Sequence, residues 1–126
     1  MNDPSFASNR QPPAVRREGR LADAVVVVKG APRPAPAKLV LDQRRCRFVP
    51  HVQAAAVGST LEIVNGDDVL HNVHGYTGPA TAFNVAMPRR DQRVPRRLDR
   101  PGLVAVRCDV HAWMSAWVHV VDAPFA

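Results

Sequence analysis

The 126 residues of this chain fit a single domain, and a hydrophobic share of 46% is enough to fill one core. Its 17 lysines and arginines outnumber its 11 aspartates and glutamates, which leaves a net charge of +6. The longest apolar run, residues 24–28, has the length of a strand and falls far short of the ~20 residues that a membrane-spanning helix needs. We therefore predict one domain without a transmembrane segment.

The positive charge is carried almost entirely by arginine, in clusters spread along the sequence. These clusters lie at residues 16–17, 44–47, 89–90 and 93–100. They lack the aromatic platform or recognition helix of a nucleic-acid-binding protein, so we predict no nucleic-acid partner. Two interpretations stay open: a surface that speeds docking to an acidic protein, or ordinary solvated surface charge.

The first part of the chain differs in character from the rest. Residues 1–20 are polar, rich in arginine and proline, and without periodicity, so we predict a disordered segment there and a single domain over 21–126. The valine-rich stretch 24–29 is predicted as a first, extra strand. A proline-rich connector follows at 30–36, because proline interrupts the hydrogen bonding of a sheet.

Short apolar stretches separated by turn residues predict further strands. Leu61 and Ile63 alternate with Glu62, as in a strand buried on one face. In the last strand, 115–121, Val118 and Val120 are predicted to face inward. The remaining predicted strands lie at 38–42, 46–57, 83–85 and 103–108, and the predicted turns and loops at 65–68, 75–79 and 101–102. With no amphipathic helix, this pattern predicts an all-β sandwich.

The residues with the clearest chemistry are Cys108, His111 and Met114, in a Cys-x2-His-x2-Met pattern, with His71 available upstream. One thiolate, two imidazoles and one weak thioether are the ligands that copper takes in electron-transfer sites. We therefore predict one copper ion per chain, bound by these four side chains. Two alternatives stay open: Cys108 as a buried apolar residue or in a disulfide with Cys46, and Met114 as a core residue.

These motifs resemble the cupredoxins, the small blue copper proteins of the amicyanin and plastocyanin type, and the short spacing of Cys, His and Met is most similar to the amicyanins. The resemblance runs from about Cys46 to Val121 and includes 48–50, 57–65 and His71-Asn72-Val73. It implies a Greek-key β-sandwich or barrel, here with an extra N-terminal strand. It also implies a mononuclear type 1 copper centre in a one-electron carrier rather than an enzyme.

The resemblance gives roles to residues around the ligands. Asn72 is expected to tie the loop of the first histidine to the backbone of Asp109, and His74 is not expected to bind copper. Cys46, just before Phe48, should come near the copper end of the sandwich, and a direct metal role of Cys46 or His51 stays open. We expect Cys46 to be a bystander, because the four predicted ligands already complete a site.

Cupredoxins work outside the cytoplasm with redox partner proteins, so the resemblance implies a periplasmic or otherwise extracytoplasmic location and a redox partner protein. The first residues of this chain, 1–6, do not begin a basic segment followed by an apolar one, and no signal peptide is predicted. An extracytoplasmic domain of a longer protein would reconcile the two expectations.

Three alternatives compete with an electron carrier. The same ligands could belong to a copper delivery or storage protein, or to one module of a larger copper oxidoreductase. An oxidoreductase needs a second copper in a histidine-rich site, and His51, His74 and His119 are too few and too scattered to predict one. Zinc also suits a cysteine and two histidines, but it seldom recruits a methionine.

Overall fold

The computed structural model describes residue 25 and residues 35–122. Apart from Val25, the predicted extra strand 24–29 lies outside the described residues, as does the predicted disordered segment 1–20. The extent of the domain, 21–126, therefore stays a prediction. Within residues 35–122, nine strands make up the regular structure: β1 (Lys38–Arg44), β2 (Arg47–Val49), β3 (Val52–Ala56), β4 (Thr60–Asn65), β5 (His71–Thr77), β6 (Ala80–Met87), β7 (Arg93–Arg97), β8 (Gly102–Arg107) and β9 (Ser115–Val121).

The strands form two sheets of mixed direction, with the order β2-β1-β4-β7 in the first and β3-β9-β8-β5-β6 in the second. Strands β1 and β4 pair in parallel, as do β3 and β9, and the other pairs are antiparallel. The predicted all-β sandwich is confirmed, as two open sheets rather than a closed barrel over residues 35–122. No helix in this part of the chain could span a membrane.

Alternating side chains from both sheets fill the space between them. Leu61 and Ile63 on β4 are fully buried, while Glu62 between them accepts a 2.7 Å hydrogen bond from Arg93 on β7. On β9, Val118 and Val120 are buried as predicted. This alternation places the apolar face of each sheet against the other and leaves the charged residues outside.

Two segments differ from their predicted structure. The loop predicted at 75–79 is wrong, because β5 continues to Thr77 and only 78–79 form the turn. Gly75 serves close packing within the sheet: a Cβ there would lie 2.5 Å from the ring of Phe83. The arginine cluster 93–100 contains a strand, β7, in which Val94 packs toward the core between the exposed Arg93 and Pro95.

Candidate metal centre

Three of the four predicted ligands converge at one end of the sandwich. His71 begins β5, Cys108 directly follows β8, and these two strands are antiparallel neighbours, so the start of one meets the end of the other. His111 lies in the loop from β8 to β9. Its Nδ1 is 3.1 Å from Nδ1 of His71 and 3.7 Å from Sγ of Cys108, and the remaining pair, Cys108 Sγ and His71 Nδ1, is 3.9 Å apart.

These separations fit a single metal ion. Nitrogen and sulfur ligands bind zinc-like ions at about 2.0 and 2.3 Å, so two ligands of one ion lie roughly 3 to 4 Å apart. All three observed distances fall in that range. His71 is fully buried, Cys108 is 2% exposed, and His111 is partly exposed, so the donors face a largely dry interior. A soft thiolate with two imidazoles suits copper, and it also suits zinc.

Asp67 fixes the direction in which the His71 ring presents its nitrogens. The Nε2 of His71 is 2.8 Å from the Asp67 carboxylate oxygen Oδ2. An ionised carboxylate only accepts hydrogen bonds, so Nε2 carries the ring proton of the neutral imidazole. The lone pair of Nδ1 is then free to point at the group of donors, as a metal ligand requires.

The Asp67 carboxylate also accepts hydrogen bonds from two backbone N–H groups, those of Arg45 (2.7 Å) and Cys46 (2.8 Å). Burial acts to raise the pKa of Asp67, but the bonds from His71 and these two N–H groups outweigh it and hold the pKa below its usual value. Asn65 shapes the loop that carries this aspartate, since its buried side chain accepts from the N–H of Asp67 at 2.9 Å. Asp67 is therefore a carboxylate held in place from several sides.

His111 is the most accessible of the three donors. Burial lowers the pKa of its imidazole, and the nearby His71 ring lowers it further, so the ring is neutral at neutral pH. Its ring packs edge-on against His71, with centroids 4.9 Å apart, and lies 5.1 Å from the ring of Trp113. A neutral imidazole at the protein surface can both bind a metal and face a partner protein.

Met114 ends the loop that carries His111. Its N–H donates to the His111 carbonyl at 3.0 Å, and its side chain is fully buried in the same core as Cys108. The backbone bond closes the turn and fixes the spacing of the two residues. Metal binding by the Met114 thioether stays a prediction.

Asn72 joins the two ligand-bearing segments, as the resemblance implies. Its Oδ1 accepts the N–H of Asp109 at 2.6 Å, and its Nδ2 donates to the Asp109 carboxylate at 2.8 Å. The hydrogen bond from His74 holds the pKa of Asp109 low, and burial opposes it only in part. His74 also bonds Thr81 at 2.8 Å. His74 therefore supports the loop of Cys108 and lies outside the group of donors, as expected.

Cys46 joins the site from the other sheet. It lies in the turn between β1 and β2, and its Sγ and the donor nitrogens of His71 and His111 all lie within 4.8 Å of one another. The expectation that Cys46 lies near the copper end is confirmed. Burial raises the pKa of its thiol, and the nearby Asp67 and Cys108 raise it further. Both cysteines are free, so the disulfide alternative does not describe this structure.

The backbone of Cys46 is fixed on both sides. Its N–H donates to Asp67, and its carbonyl accepts a 2.9 Å hydrogen bond from the indole Nε1 of Trp113. The sequence predicts Asp67 only as a turn residue and gives Trp113 no role in holding the site. The one signal for Asp67 was its position four residues before His71; the bond from Trp113 spans 67 residues and had none.

Large apolar side chains surround the site on the surface. The segments that carry the donors expose Leu70 at 48%, Val110 at 50% and Trp113 at 44%. Neighbouring Val69 and Ala112 are also exposed. Exposed apolar groups of this size on adjoining loops are typical of surfaces that meet another protein.

No family model and no curated protein matches this sequence. Solved structures do match. Over 79% of this chain and 93% of its own length, an amicyanin from Paracoccus versutus has 23% identity and a TM-score of 0.58. A purple cupredoxin from Nitrosopumilus maritimus has 20% identity and a TM-score of 0.57 over 68% of this chain and 99% of its own.

A copper-containing nitrite reductase from Thermus scotoductus SA-01 matches 76% of this chain with 23% identity and a TM-score of 0.61. This chain spans 25% of the length of that enzyme. At these identities the likeness establishes the fold. Together with the geometry of His71, Cys108 and His111, it leads to one conclusion: this chain has the cupredoxin fold, with a cysteine and two histidines gathered at one end of the sandwich.

Proposed function

We propose that His71, Cys108, His111 and Met114 bind one copper ion as a type 1 centre and that the protein is a one-electron carrier. The observation that carries this proposal is the set of three donor atoms within 3.9 Å of one another at the end of a cupredoxin sandwich. When bound, copper supplies a one-electron couple between its two oxidation states. The residues of the chain account for the rest of the function.

Several contacts keep the donors in place when the charge of the centre changes. Asp67 holds the ring of His71 through Nε2, and Asn72 holds the segment of Cys108 through Asp109. Supports of this kind orient ligands and tune the metal. An electron carrier needs such rigidity, since large movements of the ligands would slow the exchange of electrons.

The surface supports exchange with another protein. His111 is partly exposed, and Leu70, Val110 and Trp113 offer apolar area on the same loops. We propose that a redox partner docks there and that the electron passes through the His111 ring. The net charge of +6 favours an acidic partner, because opposite charges speed encounter. From the resemblance to cupredoxins, we also propose a periplasmic location.

The match to one quarter of a nitrite reductase favours a second candidate, a copper module within a larger oxidoreductase. In that role the same site passes electrons to a second copper elsewhere in the assembly. Substrate turnover that appears only when the copper-loaded chain is combined with a protein that carries a second copper would favour this candidate. Electron exchange without turnover favours the carrier.

The visible absorption spectrum and the cyclic voltammogram of the copper-loaded protein test the proposal. We expect an intense visible band with copper(II), because a thiolate bound to copper(II) gives a strong charge-transfer transition, and a reversible one-electron wave. Metal analysis should give one copper per chain. A protein that holds only copper(I), without colour or a reversible wave, would be a delivery or storage protein instead.

Replacing Met114 with leucine should keep the intense band and move the reduction potential to more positive values. The thioether is a weak donor to copper(II), so its loss favours copper(I) while the thiolate and both imidazoles remain. Leucine is close to methionine in volume, so the buried position should keep its packing. An unchanged potential would mean that Met114 is a core residue only.

A further inference from the structure

We propose that Cys46 is an additional ligand, so that the strong ligands of the centre are two thiolates, from Cys46 and Cys108, and two imidazoles, from His71 and His111, beside the weak thioether of Met114. This inference rests on the proposed function, because it assumes a metal that is already bound by Cys108, His71 and His111. It replaces the expectation that Cys46 is a bystander. Three independent features of the structure lead to it.

The first feature is distance. The Sγ of Cys46 lies no more than 4.8 Å from the donor nitrogens of His71 and His111. Ligands of one metal, a thiolate at about 2.3 Å and an imidazole at about 2.0 Å, lie at most about 4.3 Å apart. A movement of about 0.5 Å or less therefore brings the Cys46 sulfur to the separation expected of a ligand that shares an ion with the two imidazoles.

The second feature is the backbone of the turn between β1 and β2. Both of its residues have positive φ, 51° at Arg45 and 55° at Cys46. Two-residue hairpin turns of this form normally carry Asn-Gly or a similar pair, because other side chains are strained there. A glycine at position 46 would remove the strain but would also remove the thiol. Strained residues persist where the side chain is needed and the surroundings hold it.

The third feature is the pair of bonds that hold this turn. The N–H of Cys46 donates to Asp67, which also binds His71, and the carbonyl of Cys46 accepts from Trp113, which packs against His111. The N–H of Cys46 is thus linked to His71 through Asp67, and its carbonyl is linked to His111 through Trp113. A cysteine that only fills space in the core would not need this placement.

The added thiolate changes which metals the site prefers. Each thiol that binds loses its proton to solvent, so the centre gains one negative charge from Cys46. Two thiolates and two imidazoles form a set that suits soft or tetrahedral ions, copper(I) and zinc(II) among them. We therefore infer that Cys46 strengthens the retention of copper in its reduced state and lets the site accept zinc.

Cobalt(II) substitution tests the inference, because thiolate-to-cobalt charge-transfer bands report the number of bound thiolates. We expect wild-type protein to show roughly twice the band intensity of Cys46→Ser, in proportion to its two thiolates against one. Alkylation followed by mass analysis should find both cysteines protected in the metal-loaded wild type. Equal band intensity in the two proteins, with Cys46 freely alkylated, would overturn the inference.

Cys46→Gly controls for folding, because glycine adopts the positive φ at this position without strain. We expect it to melt at a temperature no lower than the wild type without metal and still to lose about half of the cobalt band, as one of two thiolates is gone. Arg45→Asn, which keeps the thiol and tolerates the same turn, should retain the full band. A full band in Cys46→Gly would equally overturn the inference.

The outcome separates this inference from the proposed function. A wild-type band that corresponds to one thiolate, lost in Cys108→Ser and kept in Cys46→Ser, would overturn the role of Cys46 and leave the type 1 centre standing. A wild type that binds neither cobalt nor copper would overturn both.

Discussion

Replacing Cys108 with serine should sharply weaken the strong visible band of the copper(II)-loaded protein. The band arises from charge transfer between thiolate sulfur and copper, and a serine hydroxyl is not a thiolate at neutral pH. Cys108 is 2% exposed and lies 3.7 and 3.9 Å from the two imidazole nitrogens, so it is the best-placed sulfur for this bond. We expect the band to fall to roughly half or less of the wild-type intensity, because Cys46 then supplies the remaining thiolate.

The measurement is an absorption titration with copper(II), with far-UV circular dichroism as a check on the fold. A buried serine hydroxyl without a partner costs about 1–3 kcal/mol, so the variant should be less stable but still rich in strand. His74→Ala is a matched control, since His74 borders the same segment through Asp109 and lies outside the group of donors. A band of wild-type intensity in Cys108→Ser would refute the proposed ligand set.

Replacing Asp67 with asparagine should weaken copper binding by about ten- to a hundredfold, the usual cost of losing the carboxylate partner of a ligand histidine. One Asp67 oxygen accepts from both His71 and Cys46, and an amide cannot serve all three donors with the same geometry. Loss of the negative charge also disfavours copper(II), so the reduction potential should rise. Competition with a chelator of known affinity and voltammetry measure the two effects.

Asp68→Asn is the matched control for this experiment. It makes the same chemical change one residue away, at an exposed position of the same loop. We expect its copper affinity and potential to stay close to those of the wild type, because exposed charges are screened by solvent and salt. Equal effects of the two substitutions would show that the general negative charge of the loop matters, and not the contact of Asp67 with His71.

The parts of the fold set by local alternation could be predicted from the sequence. The last strand, Ser115–Val121, matches its prediction in full, and Leu61 and Ile63 are buried as expected. Gly75 was wrongly predicted as a loop residue. A glycine that leaves room for the ring of Phe83 cannot be distinguished by sequence from a glycine that forms a turn. The strand within the arginine cluster was hidden because its outward positions are all charged or proline.

The site was predictable where it depends on residues close in sequence, and less so where it depends on distant ones. The short spacing of Cys108 and His111 indicated their shared role, and the copper chemistry of the set pointed to His71. The position of Cys46 depends on a hairpin turn whose residues, Arg45 and Cys46, lack the usual turn signature. Its contact with Trp113 requires both sheets to be in place.

The carboxylate of Asp67 also has a mechanical consequence. Its two oxygens hold the hairpin of the first sheet and the first residue of β5 in the second sheet, so a single side chain bridges the two layers at this end. A displacement of the His71 ring therefore also strains the hydrogen bonds from the Arg45 and Cys46 N–H groups to Asp67. A change in the position of His71 in the second sheet can in this way move the edge strand β2 of the first sheet.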